Sequence, residues 1–187
     1  MSGINRFTLT AKKSSTPSAT SQVYLDPCIF ISHKREDSEM AESVGNILKN
    51  MDIDIWLDTI ELKLPPPSTP AEHMALTESI EAGIVNSTHL LALISQKTET
   101  SWWVPYEVSA ARARKKELAF LCHKDVKSLP SYFIYGQALA DQEKLCAWAE
   151  RLSRSPQIAA QNKFVILSRS SSIDLYLPKS RLLTPRR

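Results

Sequence analysis

The chain has 187 residues and a mass of 21.0 kDa, which fits one domain of ordinary size with tails. Hydrophobic residues make up 43% and charged residues 23%, which excludes wholesale disorder, and no apolar run approaches the roughly 20 residues that a membrane span needs. Three cysteines and four histidines show neither C-x-x-C nor H-x-x-x-H spacing, so we expect no metal site, no disulfide framework and a cytoplasmic location.

The positive charge lies in the two ends of the chain. The formal net charge is +3, and residues 1–25 and 175–187 carry seven basic residues and no acidic one. Residues 26–174 therefore hold 16 Lys and Arg against 20 Asp and Glu, a net charge of −4. A mildly acidic folded part argues against a nucleic-acid-binding core, in which basic residues would cluster on one face.

The first segment is rich in hydroxyl side chains. Nine of the first 23 residues are Ser or Thr, which predicts a disordered basic tail over residues 1–25. The composition also resembles an organelle transit peptide, and it lacks the apolar core of a secretory signal. We expect the folded domain over residues 26–154 and an extension over 155–187.

Segments of strand and helix pattern alternate from Cys28 onward. Residues 28–32 form an unbroken apolar run, typical of a strand that is buried on both faces. Apolar residues at helical spacing follow from Met40 to Met51, with Asp37 as the predicted N-cap. Residues 53–57 then form the second predicted strand.

A strong helix-start signal comes next. Thr69 as N-cap, Pro70 at the first helical position and Glu72 in a capping box predict a helix that ends near Gly83. The later predicted elements are a strand over 90–94, a helix over about 105–116, strands over 118–122 and 132–135, and a helix through 145–152. For residues 164–167 and 173–177 two alternatives stay open, a hairpin or a segment that lies over the domain.

This alternation predicts a parallel sheet with helices on both faces, and ligands of such sheets bind beyond the carboxyl ends of the strands. No G-x-G-x-x-G or P-loop pattern is present, which excludes a Rossmann dehydrogenase and a P-loop NTPase. A response regulator is excluded as well, because Ser95 follows the third strand where a phosphoacceptor aspartate is needed.

Residues at the predicted strand ends suit a nucleotide. Arg35 beside Lys34 offers cations for a phosphate after the first strand, and Asp58 ends the second. Trp103 and Glu107 follow the third strand, and a flat ring near a carboxylate suits a ribose-bearing nucleotide. Trp102 adjoins Trp103, and we expect one of the two to pack in the core and Trp103 to line the cleft.

At these residues the sequence resembles a TIR domain of the bacterial type over about residues 26–153. The matching pieces are Ile29-Phe30-Ile31-Ser32-His33 with Arg35 and Asp37, Ile55-Trp56-Leu57-Asp58, Ser79-Ile80-Glu81 with Ser87-Thr88, residues 91–95, and Ser101-Trp102-Trp103-Val104-Pro105-Tyr106-Glu107. The resemblance implies a flavodoxin-like α/β fold with a five-stranded parallel sheet.

The family includes scaffolds that assemble with other TIR domains and enzymes that hydrolyse NAD+ to nicotinamide and an ADP-ribose product. The resemblance implies that Glu107 is the catalytic carboxylate and that residues 59–69 form a mobile assembly loop, although prolines 65–67 depart from the family pattern. The expected substrate-binding residues are Trp103, Arg35, Ser32, His33, Asp58 and Ser95.

Structural readings of the same residues stay open. Glu107 could complement the helix dipole, Asp58 could brace the following loop, and Pro105 disfavours helix at Val104, so that Trp103 and Glu107 need not share a face. We expect an NAD+-cleaving enzyme of bacterial antiphage immunity without a cofactor, NAD+ being its substrate. It would self-associate, act beside a separate sensor or effector protein, and bind neither membrane nor nucleic acid; the alternative is a non-catalytic TIR adaptor.

Overall fold

The computed structural model describes residues 2–7, 26–57, 68–124, 126 and 128–169. Its strands are β1 Cys28–Ser32, β2 Asp54–Trp56, β3 His89–Ile94, β4 Glu117–Cys122 and β5 Gln137–Leu139. Its helices are α1 Ser38–Asn50, α2 Pro70–Val85, α3 Trp103–Ala113, α4 Gln142–Leu152 and α5 Pro156–Arg169, and short 3-10 helices cover Arg35–Asp37, Gln96–Thr100 and Ser131–Tyr135.

The strands form one parallel sheet in the order β2-β1-β3-β4-β5. Side chains alternate between two apolar cores, so that Ile29 and Leu91 face α1, α4 and α5, whereas Phe30 and Leu90 face α2 and α3. The unbroken apolar runs predicted strands buried on both faces for this reason, and the flavodoxin-like α/β fold with helices on both faces is confirmed.

Helix α2 begins as predicted and ends later than predicted. Thr69 accepts a hydrogen bond from the Glu72 amide, and the Glu72 carboxylate accepts from the Thr69 amide, so the capping box is present. The helix continues past Gly83 to Val85, however. The expectation that Gly83 is a C-terminal cap is therefore wrong.

Two predicted strands are helical in the structure. Residues 132–135 lie in the 3-10 helix Ser131–Tyr135, and the fifth strand is Gln137–Leu139 instead. Residues 164–167, the first half of the expected hairpin, belong to α5. The second half, residues 173–177, lies outside the described residues.

Residues 2–7 are ordered, so the expectation of a disordered tail over residues 1–25 does not hold for them. Asn5 forms a parallel bridge with Ile55 of β2, and Arg6 forms a buried ion pair with Asp54. Residues 8–25 and 58–67 are outside the described part of the chain, so the predicted assembly loop is described only at Ser68 and Thr69, and its prolines are not.

Candidate functional site

The carboxyl end of β1 meets helix α3 at the sequence-predicted carboxylate. Ser32, the last residue of β1, donates a hydrogen bond from its hydroxyl to Oε2 of Glu107. Both side chains are buried, with exposed fractions of 1% for Ser32 and 6% for Glu107. Glu107 lies on the face of α3 that also buries Val104, Val108 and Ala111. A carboxylate at such a position requires hydrogen-bond partners, because burial without them is costly.

Trp103 lies one helical turn before Glu107. Helix α3 begins at Trp103, so the two residues are four apart on one helix and share a face. The expectation that Pro105 delays the helix is wrong, because a proline in the first turn removes an amide that has no partner within the helix. The amide of Val104 in this turn instead donates to Oγ of Ser101 at 3.2 Å.

The adjacent tryptophans have different surroundings. Trp103 is partly buried against the apolar core between the sheet and helices α2 and α3, and its ring meets that of Tyr106 edge-on at a centroid distance of 5.8 Å. Trp102 is 91% exposed. Trp103 therefore contacts the core with part of its surface exposed, whereas Trp102, which the sequence prediction left to pack in the core, extends into solvent.

The residues after β1 form a polar turn. His33 is half-buried with Nδ1 3.3 Å from the carbonyl oxygen of Ile31, and Arg35 begins the 3-10 helix that follows. Nζ of Lys34 donates to Oγ1 of Thr100 at 2.8 Å, which fastens this turn to the segment after β3. His33 and Arg35 thus lie in the turn that directly follows the Ser32–Glu107 pair.

A second polar pair joins the ends of β1 and β3, and sequence reasoning missed one member of it. Oγ of Ser95 donates to Oδ2 of Asp37 at 2.6 Å, and Nζ of Lys97 lies 3.2 Å from Oδ1. Asp37 precedes α1 as predicted, but its side chain makes no capping hydrogen bond. The sequence did offer a signal for this pair, because an acidic residue follows β1 and a serine follows β3, the strand beside it.

A groove opens beside Ser95 and encloses about 430 Å³ of empty space, part of it open to solvent. It is lined by Ile94, Ser95, Thr98, Glu99, Ser101, Pro105, Ser128, Pro130 and Tyr132. Burial raises the pKa of Tyr132 to about 12, so its phenol is neutral at physiological pH. Of the predicted site residues that the structure describes, only Ser95 lines this groove, whereas Glu107, Ser32 and Trp103 lie outside it.

The remaining candidates for chemistry are limited. Burial raises the pKa of Cys28 to about 11, of Cys122 to about 12 and of Cys146 to about 11, so the folded protein favours the protonated thiols over the reactive thiolates. Within the described ranges, no group of three or more His, Cys, Asp or Glu could hold a metal ion. Asp58 lies outside those ranges.

Comparison with known proteins gives one family. A family model described as TIR domain matches residues 29–153, a range that runs from β1 to the end of α4 and contains every predicted site residue. No curated protein matches the chain. Among the described residues, no helix has both the length and the apolar character that crossing a membrane requires.

Proposed function

This chain belongs to the TIR domain family, and from that premise we propose that it cleaves the nicotinamide–ribose bond of NAD+ with Glu107 as the catalytic carboxylate. TIR domains include enzymes that cleave NAD+ as well as non-catalytic adaptors. The observation that favours the enzyme is the carboxylate of Glu107, which is buried at the carboxyl end of β1, hydrogen-bonded to Ser32 and one turn from Trp103. Ligands of open parallel sheets bind at this end.

The proposed reaction needs one carboxylate. When the bond between ribose C1′ and the nicotinamide nitrogen breaks, its electron pair leaves with nicotinamide, which departs neutral and needs no general acid. The ribose then carries oxocarbenium character, and water adds to C1′ and loses a proton to give ADP-ribose. Capture by another hydroxyl or nucleophile would give a cyclic or conjugated product.

Glu107 would act on the charge that develops during bond cleavage. A carboxylate that faces the oxocarbenium-like ribose stabilises the transition state more than the ground state, because the positive charge is absent before cleavage. Glycosidases use carboxylates in the same way. The Ser32 hydroxyl, which donates to Oε2, would hold the carboxylate in one orientation.

The other candidates take positioning roles in this proposal. Trp103 would form a wall of the site, and Arg35 with His33 would meet the phosphates from the turn after β1. Ser95 would brace that turn through its hydrogen bond to Asp37. Asp58 is proposed only from its position after β2, as a ligand of the ribose hydroxyls.

The test is chromatography of NAD+ incubated with purified wild-type protein, with Glu107→Gln and with Glu78→Gln, at high protein concentration with a crowding agent. Glu78 is an exposed acid of α2 and provides a matched control. We expect nicotinamide from wild type and from Glu78→Gln, and a rate about 10²–10³-fold lower from Glu107→Gln, the loss typical of a group that stabilises charge in the transition state. A folded Glu107→Gln protein with the wild-type rate would overturn the assignment.

The adaptor is the second candidate, because a carboxylate that is 6% exposed and bonded to Ser32 would also serve a purely structural role. It would act through TIR–TIR contacts, and TIR domains typically self-associate. Folded wild-type protein that associates with rising concentration and releases no nicotinamide would favour it. In either case we propose a role in bacterial antiphage immunity beside a separate sensor or effector protein.

A further inference from the structure

The outer edge of the sheet at β2 is covered by residues 2–7, here called the arm. The amide of Ile55 donates to the carbonyl of Ile4 at 2.8 Å, and Asn5 pairs with Ile55 in a parallel bridge. The amide of Gly3 donates to the carbonyl of Lys49 at 2.8 Å. The arm therefore pairs with the edge of β2 at Ile4 and Asn5, and the next two residues, Arg6 and Phe7, are helical.

Asn5 extends this pairing through its side chain. Its Nδ2 donates to the carbonyl of Leu57 at 2.8 Å, and the Leu57 amide donates to its Oδ1 at 3.1 Å. One side-chain amide thus satisfies both backbone groups of an edge residue, as a neighbouring strand would. Asparagine is suited to this position because its amide carries both a donor and an acceptor.

The next two residues of the arm are anchored by side chains. Nε of Arg6 lies 2.9 Å from Oδ2 of Asp54, and both residues are buried, with 6% and 4% of their surfaces exposed. The ring of Phe7 meets that of Trp56 edge-on at a centroid distance of 6.0 Å. Backbone pairing combined with side-chain anchors is how proteins bind extended peptides by strand addition.

Gly3 permits the close approach that this pairing needs. A Cβ atom at Gly3 would lie 1.9 Å from the carbonyl oxygen of Ile53 and 2.4 Å from its carbonyl carbon. Backbone atoms cannot move aside as the end of a flexible side chain can, so a larger residue at this position is incompatible with the docked arm. A single substitution at Gly3 should therefore release the arm from the edge of β2.

We propose that the β2 edge is a backbone-pairing site for peptides with the chemistry of the arm, namely glycine, asparagine, arginine and an aromatic residue in that order. The arm fills the site within one chain, and the arm of a second copy can fill it equally. Residues 8–25, which join the arm to the domain, number 18 and span at most about 60 Å when fully extended, which is enough to reach a neighbouring molecule. This proposal does not depend on enzymatic activity.

The test uses a fluorescent peptide of residues 1–8, labelled after Thr8, and full-length chains titrated by fluorescence anisotropy. In the Gly3→Val chain the site is empty, and we expect it to bind the peptide at least about tenfold more tightly than wild type does. In wild type the peptide must compete with a tethered arm whose effective concentration is on the order of millimolar. The Ile4→Val chain is the matched control and should behave as wild type, because Ile4 pairs through its backbone and is 44% exposed.

The peptide itself carries a second control. A peptide with Gly3→Val and Arg6→Glu should not bind any of the chains, since it lacks both the close approach and the ion pair. Circular dichroism would check that the Gly3→Val chain folds, and Arg6→Glu in the full chain offers a second way to release the arm. The proposal would be overturned if the folded Gly3→Val and Arg6→Glu chains both failed to bind the peptide. It would also be overturned if these two chains bound the peptide no more tightly than wild type does.

Discussion

His89, the first residue of β3, contacts side chains from three parts of the chain. Nδ1 lies 2.7 Å from Oγ1 of Thr88, Nε2 lies 3.5 Å from Oε2 of Glu117, and the imidazole meets the indole of Trp148 edge-on at 6.0 Å. Burial lowers the pKa of His89, and this effect outweighs the carboxylate of Glu117, which acts in the opposite direction. The folded protein therefore favours the neutral imidazole.

This preference makes stability depend on pH. The pKa of His89 is lower in the folded chain than its ordinary value near 6.5 in the unfolded chain, so the unfolded state binds more protons once the pH falls below that value. The contribution of His89 to stability is thus present above pH 6.5 and is lost as the pH falls toward the folded pKa. In urea unfolding, we expect the free energy to fall less between pH 7.5 and 5.5 in His89→Gln than in wild type.

The control for His89 is His73→Gln, since His73 is exposed on α2. It should reproduce the pH dependence of wild type, because His89 and its contacts are unchanged. A His89→Gln protein whose unfolding free energy changes with pH as much as that of wild type would show that His89 is not the sensitive group.

The sequence predicted that Glu107 lies near the carboxyl ends of the strands, but it did not predict the hydrogen bond between Asp37 and Ser95. The helical pattern predicts that Asp37 caps α1, which is the local choice for an acid before a helix. In the structure this carboxylate instead accepts a hydrogen bond from Oγ of Ser95 and forms an ion pair with Nζ of Lys97. The choice depends on β1 and β3 being neighbours in the sheet, and chain order alone does not reveal strand order.

Gly83 shows how one helix approaches the sheet. A Cβ atom there would lie 2.4 Å from Nε1 of Trp56 and 2.7 Å from Cε2 of Phe30, both of which are buried rings. Gly83→Ala would ordinarily stabilise a helix by about 0.5–1 kcal/mol. Here we expect a net loss of about 1–3 kcal/mol, because the rings must shift within a packed core. Thermal or urea unfolding measures this loss.

The matched variant for Gly83 is Gly45→Ala on α1. The nearest atom to a Cβ at Gly45 is Cδ1 of Ile55 at 2.9 Å, the flexible end of a side chain, so this substitution should cost less. If Gly83→Ala were as stable as Gly45→Ala, the rings of Trp56 and Phe30 would not limit the approach of α2.

The wrongly predicted elements are short apolar runs whose period is ambiguous. Residues 132–135 have the composition of a strand, but Pro130 precedes a 3-10 turn that buries Phe133 against Phe120 at a ring distance of 5.0 Å. Residues 164–167 extend a helix that begins at Pro156, a residue typical of a first helical position. Packing of Phe133 therefore decided the first case and a local helix start the second, whereas the long buried strands followed from composition.

At the scale of the whole molecule, Arg6 and Arg154 form ion pairs with aspartates from distant segments. Nη2 of Arg154 lies 3.3 Å from Oδ1 of Asp52 and 3.1 Å from Oδ1 of Asp54, and its Nη1 lies 3.5 Å from Oδ2 of Asp26. Arg6 of the arm holds the other oxygen of Asp54. The network joins the arm, the start of β2 and the connection from α4 to α5. Arg154 lies 100 or more residues from its three aspartates, and Arg6 lies 48 residues from Asp54, so no local pattern predicts the network.

Arg154→Met tests whether this network stabilises the fold. It would leave two carboxylates, each about 6% exposed, with fewer compensating charges, and breaking a buried pair costs about 3–5 kcal/mol. Because the Arg154 side chain is 28% exposed and Arg6 still holds Asp54, we expect a smaller loss of about 1–3 kcal/mol in urea unfolding.

The stability of Arg154→Lys should lie between those of wild type and Arg154→Met, since an ammonium group cannot bind two aspartates as a guanidinium does. Arg151→Met, with one exposed hydrogen bond to Gln137, should cost at most about 0.5 kcal/mol. High salt should narrow the difference between wild type and Arg154→Met because it screens the exposed side of the network. Equal stability of Arg154→Met and Arg151→Met would mean that the aspartates are satisfied without Arg154.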